Sequence, residues 1–134
     1  MSMIRRQVSI ATSPRTLWAE LTTPEGLARW LASSARVDGR PGGRVFLTLQ
    51  DGGEESGFYH SFRPASKIEI NWEKRGEGPW KGSFLSFLLV RAGKETVLNV
   101  QHDGPAMTDA PHRAALDEFW RARLLALRDE LEAQ

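Results

Sequence analysis

The last two dozen residues constrain this chain most. At 100° per residue, Leu116, Trp120, Leu124, Leu127 and Leu131 between Pro111 and Gln134 fall on one stripe, with Phe119 and Arg123 along its edge. Asp117, Arg121, Arg128, Asp129 and Glu132 occupy the rest of the surface. A helix of about 20 residues spans roughly 30 Å. Its continuous apolar face needs one broad surface to lie on, and the residues before it read as a sheet.

The chain opens on alternation. Ile4, Val8 and Ile10 point one way and Arg5, Gln7 and Ser9 the other, so Ile4 to Ala11 is expected to be a half-buried strand. Ser13-Pro14 is a helix start, an N-cap residue followed by proline at the first helical position, and Leu17, Trp18 and Leu21 supply an apolar side. Thr23-Pro24-Glu25 repeats the start, so a second short helix runs to about Leu31 and buries Leu27 and Trp30.

Strands separated by turns then follow: Ala35 to Asp38, Arg44 to Gln50, Gly57 to Arg63, Lys67 to Glu73, Ser83 to Arg91 and Thr96 to His102. Gly39 to Gly43 and Gly76 to Pro79 read as loops, and Asp51-Gly52-Gly53 and Ala92-Gly93-Lys94 as hairpin turns. Ile68, Ile70 and Trp72 face inward on one strand, Leu98 and Val100 on the last. Asp103 to Ala110 connects to the long helix. The class is α+β: a strand, two short helices, six strands and a helix in a single domain covering residues 1–134, with one sheet face free to receive the terminal helix.

Composition excludes several functions. Eighteen basic residues stand against 17 acidic ones, a net charge of +1, which gives no electrostatic case for nucleic acid or an anionic membrane. The absence of cysteine rules out a disulfide framework, a thiolate zinc site and a cysteine nucleophile. Met1 to Arg6 has no apolar run after its arginines, and no stretch approaches the ~18 apolar residues of a membrane span. A cytoplasmic protein without membrane insertion is expected.

This ordered set resembles the START-like (SRPBCC, helix-grip) superfamily. It is most similar to bacterial proteins related to the C-terminal domain of the activator of the heat-shock-protein-90 ATPase. The resemblance covers nearly the whole chain. It rests on Val8-Ser9-Ile10-Ala11 with Pro14 and Leu17-Trp18; Leu21 to Leu27 with Trp30; Gly42-Gly43; Gly57 with Pro64; Ile68 to Trp72; Thr96, Leu98 and His102 with Gly104; and the terminal stripe. It implies a curved antiparallel sheet gripping the C-terminal helix, a cavity between them, and an apolar small-molecule ligand. The family often has Gly-Trp where this chain has Phe119-Trp120. A phenylalanine there implies either a smaller pocket or a flatter ligand.

The expected cavity lining is Trp30, Leu47, Trp72, Phe87, Leu98, His102, Phe119 and Trp120, although core packing alone would explain each aromatic and aliphatic member. His102 stands on the inward phase, either as a donor or base toward a ligand or as a histidine tied to backbone at the strand's end. The facing of His60 is open, since Gly57 could seat a bulge. His112 opens the terminal helix and is expected to be exposed. Arg123 either snorkels past the rim or holds an anionic ligand group. Three histidines without paired spacing give no metal site. No nucleophile elbow or phosphate-cradling loop is present, and no carboxylate pair stands on the inward phases. No catalytic residue and no cofactor are expected.

The expected function is therefore non-catalytic binding of a small hydrophobic or amphipathic, lipid-like molecule. Alternatives are a co-chaperone-like module acting on the heat-shock ATPase, and a cyclase- or hydrolase-like enzyme on the same fold. On the opposite sheet face, Phe46, Phe84, Leu88 and Val90 make a surface more apolar than a solvated sheet needs, which points to a homodimer.

Overall fold

The computed structural model describes residues 3–74 and 80–133. Strand β1 (Ile4–Ile10) is followed by helices α1 (Pro14–Thr22) and α2 (Pro24–Trp30). Six strands come next: β2 (Ser34–Val37), β3 (Arg44–Thr48), β4 (Glu54–Arg63), β5 (Lys67–Trp72), β6 (Phe84–Ala92) and β7 (Glu95–Asp103). A 3-10 turn (Pro105–Thr108) leads into helix α3 (Ala110–Glu132). The seven strands form one sheet in the order β1-β7-β6-β5-β4-β3-β2, antiparallel throughout. The expected α+β order is the one observed.

Local chemistry sets these boundaries. The Ser13 side chain accepts from the Thr16 N–H, and Thr23 from the Gly26 N–H, each just before a proline that opens its helix. Pro24 has no N–H with which to continue α1, so the chain breaks and restarts. Gly26 lets the two helices meet closely: a Cβ there would lie 2.6 Å from the Ala19 carbonyl oxygen. Helix α3 starts one residue earlier than the stripe alone indicates, with Asp109 accepting from the His112 N–H as its cap.

All three helices lie on one face, where their apolar residues join the inward residues of the sheet in one core. On α3 the five stripe residues are buried and Phe119 is half-buried. Polar ties set its position. Arg6 on β1 holds Asp117 through two hydrogen bonds of 2.8 Å, and Glu132 accepts from the Ala11 N–H at 2.9 Å. Arg123 donates to the Trp30 carbonyl at 3.2 Å and to Gln50 at 3.0 Å, so it straps α2 and the turn after β3 to α3.

Two details differ from the sequence reading. Strand β4 begins at Glu54, directly after the turn, rather than at Gly57. This brings Glu55 onto the inward phase with Gly57 and Tyr59. The bulge in β4 falls between Tyr59 and Ser61 and leaves His60 exposed; it is not at Gly57. Gly57 instead faces Trp72 across the ladder, where a Cβ would meet the Asn71 carbonyl oxygen at 2.6 Å and Trp72 Cε3 at 3.0 Å. The Gly76 to Pro79 loop lies outside the described residues.

Candidate functional site

Seven of the eight expected lining residues are buried, and Phe119 is partly so. Most of the aromatic ones form a chain of edge contacts. Trp30 lies 6.3 Å from Phe87, Phe87 is 5.9 Å from Trp120, and Trp120 is 5.4 Å from Phe119 and 5.8 Å from His102. Trp72, His102, Phe119 and Trp120 converge on a residue the sequence did not single out. The Trp80 indole stands 5.1, 5.0, 5.9 and 5.6 Å from their rings respectively. It comes from the connection between β5 and β6 and is fully buried. The chain's own tryptophan therefore fills the space enclosed by these four.

His102 is tied down on both sides. Its Nδ1 accepts from Trp120 Nε1–H at 3.0 Å, so the ring proton is on Nε2, which donates to Ser83 Oγ at 2.9 Å. Burial lowers its pKa to about 3. The imidazole is thus neutral, with both nitrogens engaged by core side chains rather than by backbone.

A cavity remains on the other side of the aromatic cluster, between the short helices and the sheet. It measures about 10 Å³ and is lined by Leu21, Leu27 and Leu31 from the helical segment, Val45 and Leu47 from β3, Tyr59 from β4, Ile70 and Trp72 from β5, and Leu85 and Phe87 from β6. That is room for about one water molecule. Leu47, Trp72 and Phe87 are the expected residues that line it; Trp30, Leu98, His102, Phe119 and Trp120 belong to the adjoining packed region. The only titratable side chain in its wall is Tyr59, whose phenol burial pushes well above the usual range. Trp72 Nε1 is buried and has no hydrogen-bond partner among the described residues.

Glu55 is the inward carboxylate that the sequence reading missed. It is 8 % exposed, and its pKa is raised to about 7, first by desolvation and then by the charge of Asp51. The Trp80 backbone N–H donates to it, which partly offsets that rise. Continuing the Gly57–Tyr59 alternation back to the Gly52-Gly53 turn would have found it. Glu55 and His102 both contact Trp80, but neither lines the cavity. Among the described residues, no three His, Asp or Glu side chains form a group that could hold a metal ion.

The sheet's outer face carries an open groove of about 590 Å³ across β2, β3 and the start of β4, reaching Glu73 just past β5. There the guanidinium groups of Arg36 and Arg44 lie 4.9 and 5.1 Å from the Phe46 ring centre, and Arg44 also lies 4.6 Å from that of Phe58. Farther along, Leu88 and Val90 are 40 % and 46 % exposed, while Leu85, Phe87 and Leu89 point inward as the alternation predicts. Ser86 separates Phe84 from Leu88 on this face, so the apolar surface is two patches rather than one.

The family model described as activator of Hsp90 ATPase homolog 1-like protein matches residues 11–132. The chain belongs to this family. Among solved structures, protein MLL2253 from Mesorhizobium loti is 19% identical, with a TM-score of 0.85 and 98% of each chain covered. The Aha1 dimer from Colwellia psychrerythraea is 24% identical, with a TM-score of 0.83, covering 98% of this chain and 97% of that one. DynU16, described as a putative protein in the dynemicin biosynthetic locus, is 20% identical with a TM-score of 0.86, covering 98% of this chain and 48% of that one. These likenesses show the fold, a helix-grip fold. No curated protein sequence matches significantly. Among the described residues, no helix of this family member is long and apolar enough to cross a membrane.

Proposed function

We propose that this protein binds a small apolar or amphipathic molecule between the sheet and the short helices, without catalysis. The observation that carries the reading is the small cavity at Leu47, Trp72 and Phe87, lined by mainly apolar side chains from six elements and the α2–β2 junction. Trp30, Leu98, His102, Phe119 and Trp120 form the packed wall beside it. In support of the non-catalytic form, the wall's one titratable group, Tyr59, stays protonated near neutral pH.

The cavity is far below the ~300 Å³ of an ordinary ligand pocket. Binding must therefore displace side chains of α2, a seven-residue helix. Arg123 straps the end of that helix to α3, so it governs access. Stopped-flow mixing with a naphthalene-based fluorescent probe should show slow, saturable binding. Arg123→Ala should raise the association rate several-fold. An unchanged rate would remove α2 from the entry route.

A second reading concerns self-association. Leu88 and Val90 are apolar and exposed side by side on β6, and the related Colwellia protein is described as a dimer. Exposed apolar pairs of this kind commonly mark interfaces. Sedimentation velocity should report a homodimer that Leu88→Glu converts to monomer. A wild type that stays monomeric at high concentration would sink this reading.

A further inference from the structure

We propose that the free edge of β1 takes up an extended acidic segment of a partner protein as an added strand. β1 ends the sheet, and it is seven residues long, whereas β2 at the other end has four. Its register against β7 runs unbroken from Ile4↔His102 to Ile10↔Thr96, with no bulge and no proline. Long regular edges of this kind are templates for pairing, which is why sheets usually shorten, twist or cover them.

The ladder fixes which backbone groups this edge offers. The two-residue turn Gly93-Lys94 makes Ala92 and Glu95 a hydrogen-bonded pair, so the odd-numbered residues of β7 bond to β6 and the even-numbered ones to β1. On β1 these meet Ile4, Arg6, Val8 and Ile10. Arg5, Gln7 and Ser9 therefore direct their N–H and C=O groups away from the sheet. Ala11 is next in that alternation and shows what such a group accepts as a partner: its N–H donates to the Glu132 carboxylate at 2.9 Å.

Helix α3 lies beside this edge without closing it. Its Asp117 holds Arg6 at one end and its Glu132 holds the Ala11 N–H at the other. Between these ties a groove of about 280 Å³ stays open, bounded by Arg6 to Ser9 on β1 and by Arg121, Leu124, Leu125 and Arg128 on α3. Among the described residues, its lining has three arginines and no acidic residue. Arg6 and Arg121 are paired with Asp117 and Glu118, while Arg128 has no ion pair among the described residues. The groove is thus cationic, most strongly at Arg128.

This spacing describes the occupant. Arg121 and Arg128 stand about 10 Å apart along the helix axis, with the two leucines between them. On a strand, side chains of one face recur every second residue, so an acid, an apolar residue and an acid at alternate positions span about 13 Å. Two long arginine side chains cover that difference. Backbone bonds to the β1 edge supply affinity, and the charges supply specificity. A second copy of β1 fits poorly, because its own Arg5 and Arg6 would enter a groove already lined by three arginines.

The peptide acetyl-Thr-Glu-Thr-Val-Thr-Glu-Thr-amide, titrated into 15N-labelled protein up to millimolar concentration, tests this. The backbone amides of Gln7 and Ser9 should shift saturably and exchange more slowly with solvent, while those of Leu88 and Val90 on the outer face stay in place. Replacing both glutamates by glutamine should weaken binding roughly 2–10-fold, the return on two exposed ion pairs. N-methylation should abolish binding in one of the two alternate phases of the peptide and spare it in the other, since only one phase faces β1. Arg128→Glu should weaken the glutamate peptide and favour its lysine counterpart. No saturable shift at Gln7 and Ser9, indifference to N-methylation in both phases, or equal affinity for the glutamate and glutamine peptides would overturn the proposal. So would slowed exchange at Gln7 and Ser9 that appears on concentrating the protein alone, which would put a second copy on this edge.

Discussion

Trp120→Ala should destabilise the fold by about 3–5 kcal/mol, the range for deleting a buried large side chain. The indole is fully buried, with its ring 5.6 Å from Trp80 and 5.9 Å from Phe87. Its N–H also supplies the proton that His102 Nδ1 accepts, so the substitution leaves a buried acceptor unmet as well as a cavity. Trp120→Phe separates the two losses, since it restores most of the volume but not the donor. It should fall between wild type and alanine. Truncation after Pro111 should go further and abolish cooperative unfolding, because the inner sheet residues would lose the cover of α3. Urea denaturation checks both. A Trp120→Ala protein within 1 kcal/mol of wild type, or a truncated chain melting cooperatively near the wild-type temperature, would contradict the assignment of α3 as the organising element.

The second large effect concerns pH. Glu55 has a folded pKa of about 7 against an ordinary 4.5, so between these values the folded protein keeps a proton that the unfolded chain has lost. Its contribution to stability is full below about 4.5 and declines as pH rises to about 7. His102 does the opposite. Its folded pKa of about 3 lies below the ordinary 6.5, so its contribution is full above 6.5 and is lost as pH falls toward 3. From about 4.5 to 6.5 the two slopes cancel. Below that window acid destabilises the protein through His102. Glu55→Gln removes one arm and exposes the other, so stability should climb through this window by roughly 1–3 kcal/mol, at no more than about 1.4 kcal/mol per pH unit. Urea midpoints from pH 4 to 8 measure it. A variant profile with the same shape as wild type would show that Glu55 does not titrate in this range.

The architecture was legible because periodicity is a local signal. The stripe on α3, the two proline-opened helices and the inward run Ile68, Ile70 and Trp72 each follow from spacing alone, and the structure has them all. The site was less legible because its contents come from tertiary meetings. His102 reads as inward, but its partners Ser83 and Trp120 lie 19 and 18 residues away, and nothing local pairs them. Trp80 stands in a connection, outside any alternation, yet it occupies the middle of the aromatic cluster. Glu55 was passed over because a carboxylate breaks the apolar phase by which inward positions are recognised. The size of the cavity has no sequence signature, since it is the small difference between large packed volumes.

The space between sheet and short helices should take a small apolar molecule. Titration of methyl-labelled protein with a naphthalene probe tests it most directly. Saturable one-to-one binding is expected, with shifts concentrated in the methyl groups of Leu27, Leu31, Val45, Leu47, Ile70 and Leu85 around the cavity. Non-saturable binding, or shifts confined to Leu88 and Val90 on the outer face, would contradict it.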